Sequence, residues 1–396
     1  IDLSQASKLE LENLSSTCKP ATFGVDQKDV LDESYRNARK LDIADFATTF
    51  ELRKSGIMDV VRAALLQGHD SNTPVEAELY KLNVYSEGGF FKSHRDTPRN
   101  GTMFASLVVV FPVAHAGGAL QLRHGGNEWT VDPVTATAVD NDTGPVISYI
   151  AFYSDVEHEV TLVTSGYRVT LTWNLYFQPA VDLPDYSLSM LNPLVHPKSS
   201  ESELALKAAL TRALSDSNFL PKGGHLGFGL CQEYPINPDL GLGNLDDYLK
   251  GSDAVIQNVC RQLALKTSLR IVYQRQPEEG HEDDSAMIDH FFNFPRWEPI
   301  EVLGYEVKRE GGRYIDEPKP VTIEGYHYYA SDDFNLVWVT DLTEYTRAKT
   351  AYYMVYGNEP CLGYAYCTVC LIVHIGPFGN RTANIEQPMK AKNRYY

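Results

Sequence analysis

Between residues 79 and 177 the chain is a succession of short runs rich in β-branched and aromatic residues: 79–85, 104–111, 119–123, 128–131, 146–153, 158–163 and 168–177. Clusters of Gly, Pro, Asn and Asp separate them. Many short strands at close spacing bury their apolar faces by packing sheet on sheet, so the pattern predicts a β-sandwich or barrel and argues against a βαβ fold. Upstream, 29–41 carries apolar residues on one helical face, and 50–67 is a second amphipathic stretch closed by Gly68. The expectation is a β-sandwich buttressed by N-terminal helices.

The chain has 396 residues, enough for two domains of usual size. A stretch rich in Pro, Ser and Asp, 178–201, reads as a linker. Beyond it the pattern predicts a helix capped near Ser199 or Ser200 and running to about Leu214, and another over 252–265. Strand-like runs follow at 225–231, 269–273, 300–308, 321–329, 336–339 and 364–375. The division expected is 1–185 for helices and a catalytic β-domain, 186–200 for the linker, and 201–396 for a non-catalytic α+β domain. The fold class is mainly β with flanking helices (α+β). The acidic loop 278–284 reads as a solvated connection.

Charge and cysteine usage narrow the function classes. Lys and Arg number 35 against 52 Asp and Glu, a formal charge of −17, which disfavours nonspecific nucleic-acid or anionic-membrane binding. No run approaches the 18 apolar residues of a spanning helix. Six cysteines in so long a chain are not a disulfide framework. Cys367 and Cys370 form a CxxC inside an apolar run with no second pair for zinc, and read as buried strand thiols. The sequons at Asn13, Asn100, Asn141 and Asn380 settle nothing. An intracellular compartment, cytoplasmic or nuclear, is the expectation.

The segment that carries chemistry is Lys81-Leu-Asn-Val-Tyr-Ser-Glu-Gly-Gly-Phe-Phe-Lys-Ser-His94-Arg-Asp96. Residues two apart on a strand share a face, so His94 and Asp96 aim an imidazole and a carboxylate at one point. His158, 62 residues beyond Asp96, opens a later strand and supplies a third ligand. Two histidines and one carboxylate leave three positions of an octahedral metal open, the facial triad of non-haem Fe(II) oxygenases. The open positions suit a bidentate 2-oxo acid and dioxygen. Ten residues after His158, strand parity puts Arg168, Thr170 and Thr172 on one face. A guanidinium fork beside a hydroxyl matches a distal carboxylate. Tyr85, nine residues before His94, can offer its phenol to the same carboxylates.

In order and spacing, His94, Asp96, His158 and Arg168 resemble the Fe(II)/2-oxoglutarate-dependent dioxygenases, closest to their prolyl 4-hydroxylase-type branch. Gly117-Gly118-Ala-Leu-Gln-Leu122 looks like the GG-x-L strand of that family, and Cys18-Lys-Pro-Ala-Thr-Phe-Gly24 is similar to a stretch in uncharacterised fungal relatives. The resemblance covers about 79–177, a quarter of the chain. It implies a double-stranded β-helix (jelly roll) holding Fe(II) through His94, Asp96 and His158. Arg168, helped by Thr170 and Tyr85, would hold 2-oxoglutarate, with dioxygen as the other cosubstrate. The implied reaction hydroxylates an unactivated C–H of a small-molecule or peptidyl substrate and releases succinate and carbon dioxide. A two-domain layout with a degenerate second jelly roll also resembles the ribosomal-protein prolyl hydroxylases, by architecture alone. One departure is that oxygen-sensing prolyl hydroxylases carry a second Tyr where this chain reads Leu107-Val-Val-Val-Phe111.

Bland readings compete. His115 and His124 lie 21 and 30 residues from His94, short for strands at opposite ends of a jelly roll, and His124 precedes a Gly125-Gly126 turn, so His158 is favoured. His281-Glu-Asp283 spells HxD in an acidic loop without strand pattern. His94-Arg95-Asp96 also spells a kinase triplet, but Asn100 is one position early and the nearest DFG-like text, Asp333-Phe-Asn335, is far away. Two rival functions stay open: a catalytically silent jelly-roll scaffold, and a zinc hydrolase on the same ligands, for which no general base is visible. The sequence leaves the oligomeric state open.

Overall fold

The computed structural model describes residues 1–25, 28–70, 73–132, 145–178, 200–236, 242, 245–274, 285–290, 311–315, 321–323, 326–328, 335–341, 348–349, 356–357 and 365–383. Residues 186–199 of the expected linker, the acidic loop 278–284 and the run 300–308 lie outside them. The chain divides into two compact units: Ile1–Leu66, Asn72–Leu194 and Met354–Tyr364 in one; Gln67–Ser71, Val195–Tyr353 and Ala365–Tyr396 in the other.

The first unit begins with helix α1 (Lys8–Thr17), entered through a reciprocal capping box of Ser7 and Glu10. Short strands β1 (Lys19–Pro20), β2 (Phe23–Val25), β3 (Lys28–Val30), β4 (Arg36–Asn37) and β5 (Arg39–Asp42) precede helix α2 (Ile57–Leu65). Then come β6 (Val75–Tyr85), β7 (Phe90–His94), β8 (Met103–Val110), β9 (His115–Gly117) and β10 (Leu120–His124). The series closes with β11 (Asn127–Val131), β12 (Ser148–Tyr153), β13 (Glu157–Val160), β14 (Val163–Gly166) and β15 (Arg168–Phe177). They form a six-stranded sheet, β1-β5-β6-β15-β8-β12, facing a five-stranded one, β11-β10-β13-β7-β4, with β14-β9 as a separate pair. This is a double-stranded β-helix. Its inter-sheet core includes Phe91, Val110, Leu120, Phe152 and Val160. The other face of the large sheet is covered too: Phe50 packs 5.8 Å from the Trp173 ring, and the Tyr153 hydroxyl donates to the Leu65 carbonyl at the end of α2. Burial on both faces shows in β8 and β15, which are almost continuously buried, β8 with a largely apolar sequence.

The structure corrects the reading of 29–41 as a helix. Asp32 nucleates a single turn, its carboxylate accepting from the Ser34 amide and its carbonyl from the amides of Tyr35 and Arg36. The chain then turns extended: Arg36 pairs with Phe91, and Arg39 to Asp42 pair with Val84 to Lys81. An isolated helix of that length is marginal, and ladder hydrogen bonds to two sheets outweigh its periodicity. The stretch 50–67 divides at Gly56 (φ 74°) into a 3-10 turn, Leu52–Lys54, and α2.

The second unit has a seven-stranded mixed sheet, ordered Arg313–Tyr314, Ser285–Ile288, Lys266–Gln274, Ala365–Ile375, Gly224–Ile236 and Leu336–Thr340, with Ala348–Lys349 pairing Lys266–Gln274. Helix Glu201–Ser215, capped by Ser200, and helix Gly251–Gln262 contribute to its core. Cys370 is buried on its strand, and burial pushes its thiol up to about 12, which leaves it inert. Asp253 is buried at the start of its helix and accepts from the Cys231 and Gln232 amides and the Tyr234 hydroxyl. Burial nevertheless raises its carboxyl to about 6.

The folded state therefore holds a proton on Asp253 between about pH 4 and 6 that the unfolded chain has released, and this contribution to stability is lost as pH rises through 6. Asp253→Asn, which cannot ionise, should gain stability relative to wild type over that interval. Denaturant unfolding of both proteins at pH 4 and 7 checks this; a pH-independent difference would refute it.

Candidate metal centre

His94 ends β7 and His158 lies on β13, and the two are directly opposed across the antiparallel pair. Opposed residues hold their Cβ atoms about 5 Å apart, so the rings meet, with centroids 4.2 Å apart. Phe91 stacks on His94 at 3.5 Å, and Phe152 stands 4.7 Å from His158. His94 Nδ1 lies 2.8 Å from the Lys92 carbonyl oxygen, and His158 Nδ1 lies 3.0 Å from that of Val156. A carbonyl only accepts, so each Nδ1 carries the proton and each Nε2 keeps its lone pair. Burial, with the neighbouring His158 ring and Arg36, holds His94 well below its ordinary value, and it stays a neutral ligand.

Asp96 follows β7, and its Oδ2 accepts from Ser106 Oγ on β8. Its Oδ1 lies 3.9 Å from His158 Nε2. One ligand atom from each of His94, Asp96 and His158 falls within 4.8 Å of the other two, and all three residues are buried. Two neutral nitrogens and one carboxylate oxygen on one side of a point could hold a divalent ion and leave its far side open. His115 and His124 lie outside this cluster: His115 Nδ1 sits 2.7 Å from the Val113 carbonyl, and His124 Nε2 is 3.3 Å from Asp155.

A cavity of about 60 Å³ opens beside the three ligands. The inward-facing rungs of β6 and β15 form one wall, with Arg168 opposite Tyr85, Thr170 opposite Asn83 and Thr172 opposite Lys81. Arg168 is 1% exposed, and its Nε and Nη2 have no hydrogen-bond partner among the described residues. Its guanidinium lies 5.5 Å from the Tyr85 ring centroid. Burial lowers its pKa from the ordinary guanidinium range, but arginine does not deprotonate in proteins, so it is still a cation at neutral pH. A buried, unpartnered cation is costly, and this one awaits an anion. Gly118 makes room for it: a Cβ there would sit 2.9 Å from Arg168 Cδ, at a φ of 69° that side chains rarely adopt. The donor set and the orphaned guanidinium fit a divalent metal and a dicarboxylate.

Sequence reasoning passed over four wall residues, Arg36, Lys81, Asn83 and Ser106. Lys81 and Asn83 share the parity of Tyr85 and could have been found by it. Nothing local marked Arg36 or Ser106, which reach the site through strand pairing.

Fold and side chains together define a double-stranded β-helix with the two-histidine, one-carboxylate set of non-haem Fe(II) oxygenases. Residues 80–176 match the family described as the 2OG-Fe(II) oxygenase superfamily, and this segment is similar to that family. Members use Fe(II), 2-oxoglutarate and dioxygen. Among solved structures, a Pseudomonas putida prolyl-4-hydroxylase is 20% identical, covering 45% of this chain and 88% of its own, with a TM-score of 0.28. A Trichoplax adhaerens prolyl hydroxylase, solved with a hypoxia-inducible-factor peptide fragment, is 17% identical over 45% and 82%, with a TM-score of 0.28. A Burkholderia pseudomallei oxidoreductase of the 2OG-Fe(II) oxygenase family is 15% identical over 42% and 78%, with a TM-score of 0.27. No curated protein sequence matches the chain. Among the described residues, no helix is long and apolar enough to cross a membrane.

Ser106→Ala would remove the hydroxyl that donates to Asp96 Oδ2 and loosen the orientation of the carboxylate. Loss of such an outer-shell bond costs roughly 10- to 100-fold in metal affinity. Equilibrium Fe(II) or Mn(II) titration should show a fall of that order; unchanged affinity would mean that Ser106 does not orient the ligand.

Proposed function

We propose that the chain is an Fe(II)- and 2-oxoglutarate-dependent dioxygenase that hydroxylates an unactivated C–H of a prolyl, peptidyl or amino-acid-like substrate. The observation that carries this reading is the buried, unpartnered Arg168 guanidinium in the cavity that also contains the triad. A zinc hydrolase would leave that cation idle. The likeness of the His94, Asp96, His158 and Arg168 spacing to the prolyl 4-hydroxylase-type branch inclines the substrate toward a prolyl or other amino-acid unit.

His94, Asp96 and His158 would hold Fe(II) through two Nε2 atoms and one carboxylate oxygen. Arg168 would pair with the distal carboxylate of 2-oxoglutarate, Thr170 adding its hydroxyl and Tyr85 its phenol. When bound, this set supplies the oxidation: dioxygen places one oxygen in succinate as 2-oxoglutarate loses carbon dioxide, and the other in the substrate C–H bond. The chain's own share is positioning and exclusion of water. Phe91 and Phe152 pack against the two imidazoles and keep their orientation and surroundings dry.

Asp96→Ala should abolish 2-oxoglutarate-dependent succinate release and weaken Fe(II) binding. Arg168→Ala should raise the 2-oxoglutarate requirement about 10- to 100-fold, the weight of one charge-assisted hydrogen bond of about 1.5–3 kcal/mol, with metal affinity little changed. Parallel succinate assays and metal titrations separate the two effects. Wild-type succinate release from either variant would contradict that residue's role.

A further inference from the structure

Strict alternation along β7 would put Phe91 and His94 on opposite faces, because they stand three residues apart. Yet both line the cavity, at 3% and 5% exposure, and their rings stack. The ladder accounts for it. His158 opposes His94 and Val160 opposes Phe91, so two residues of β7, Lys92 and Ser93, stand across from one of β13, Glu159. This is a β-bulge, which adds a residue to one strand and re-aims the side chain beyond it. The two bulge residues point away from the cavity: Lys92 is exposed, and Ser93 Oγ donates to the half-exposed Glu157 carboxylate. Without the extra residue His94 would take the outward position, and the ligand set would lose a nitrogen.

A bulge disrupts the ladder locally, and the backbone groups it displaces must find other partners. Here one residue meets two of them. Tyr35, just before β4, accepts from the Lys92 amide through its carbonyl (3.0 Å) and donates its hydroxyl to the Ser93 carbonyl. The turn at Asp32 takes up the Tyr35 amide, so the backbone of this edge does not continue along β7, and a phenol reaches Ser93 instead. The ring that carries the hydroxyl is itself fixed, 4.5 Å from the Phe23 ring and 6.2 Å, edge on, from that of Phe91. Lys92, held through its amide, presents its own carbonyl to His94 Nδ1 at 2.8 Å. Tyr35 therefore grips both residues whose backbone sets the direction and the tautomer of His94.

We propose that Tyr35 is a positioning residue of the metal centre, its hydroxyl holding the Lys92–Ser93 bulge that turns His94 toward the ion. The inference rests on the metal-centre reading above and adds to it a residue about sixty positions before His94, on an edge segment outside the motif. The competing account is that the phenol only strengthens the sheet. The same unit supplies a reference for that account: the Tyr153 hydroxyl also donates to a backbone carbonyl, that of Leu65 at 2.8 Å, from a strand whose pairing with β8 carries no bulge. Loss of either hydroxyl removes one phenol-to-carbonyl bond, but only the first lies on the path to a ligand.

The test uses the full chain and Co(II), which takes nitrogen and oxygen ligands and reports them in its visible band. Each imidazole bound through Nε2 also contributes one exchangeable Nδ1 proton resonance shifted by the paramagnetic ion, so the wild type should show two, and His94→Ala assigns the one from His94. Tyr35→Phe keeps the ring and loses only the oxygen; Tyr153→Phe makes the same change at the reference position. Tyr35→Phe should weaken Co(II) binding about tenfold or more, the scale for loss of an outer-shell contact, and displace or erase the His94 resonance while that of His158 stays. Tyr153→Phe should bind Co(II) as the wild type does, with both resonances in place, even though its unfolding midpoint falls. Wild-type affinity and resonances in Tyr35→Phe, or an equal loss of affinity in Tyr153→Phe, overturns the proposal. Absence of shifted imidazole resonances in the wild type, with Co(II) in excess, overturns the metal centre itself and the proposal with it, and needs no variant.

Discussion

The direct opposition of His94 and His158 across β7 and β13 is the constraint on which the rest of the site depends. Side chains alternate faces along a strand, so a slip of one residue would turn one imidazole out of the cavity. The register is held from both sides. Leu122 of β10 opposes His158, and Arg36 of β4 opposes Phe91 in β7. Diagonally across the same strand pair, Ser93 Oγ donates to the Glu157 carboxylate and clamps the two strands next to the ligands. The ligand geometry is a property of sheet pairing, and Asp96 joins it with its carboxylate accepting from Ser106 on the opposite sheet.

Electrostatics within the cavity run against those of the chain. Exposed charges more than about 8–10 Å apart are screened at physiological salt, so the acidic surface says little about the interior. Arg168, Arg36 and Lys81 are each less than 5% exposed, and their charges act at short range in a poorly screened space. Keeping the unpartnered Arg168 guanidinium there costs stability, which the apolar packing between the two sheets offsets. Such an arrangement persists where an anion is to be bound, and it separates a binding cavity from an ordinary core.

What the sequence made legible followed from strand parity and spacing. The period of two put Arg168, Thr170 and Thr172 on one face, and all three line the cavity. The HxD pair and its distance to His158 singled out three residues that the fold brings within ligand distance. The helix starting after Ser200 was readable from its cap. What was not legible depends on partners distant in sequence. Strands β4 and β5 exist because β7 and β6 are there to pair with, and their own residues carry a helical period. Ser106 is an ordinary hydroxyl in an apolar run until β8 brings it against Asp96.

Arg36 shows how far this reaches. It belongs to the segment whose pattern is helical, yet the turn at Asp32 and the pairing with Phe91 carry it to the cavity wall. There its guanidinium lies over the Phe91 ring, and that ring stacks on His94, so an edge strand, an aromatic and a metal ligand form one column. Its positive charge also disfavours a proton on His94, which keeps that imidazole available as a ligand. The same cation thus lines the cavity and keeps the neighbouring ligand neutral. A short strand outside the recognised motif is therefore part of the site.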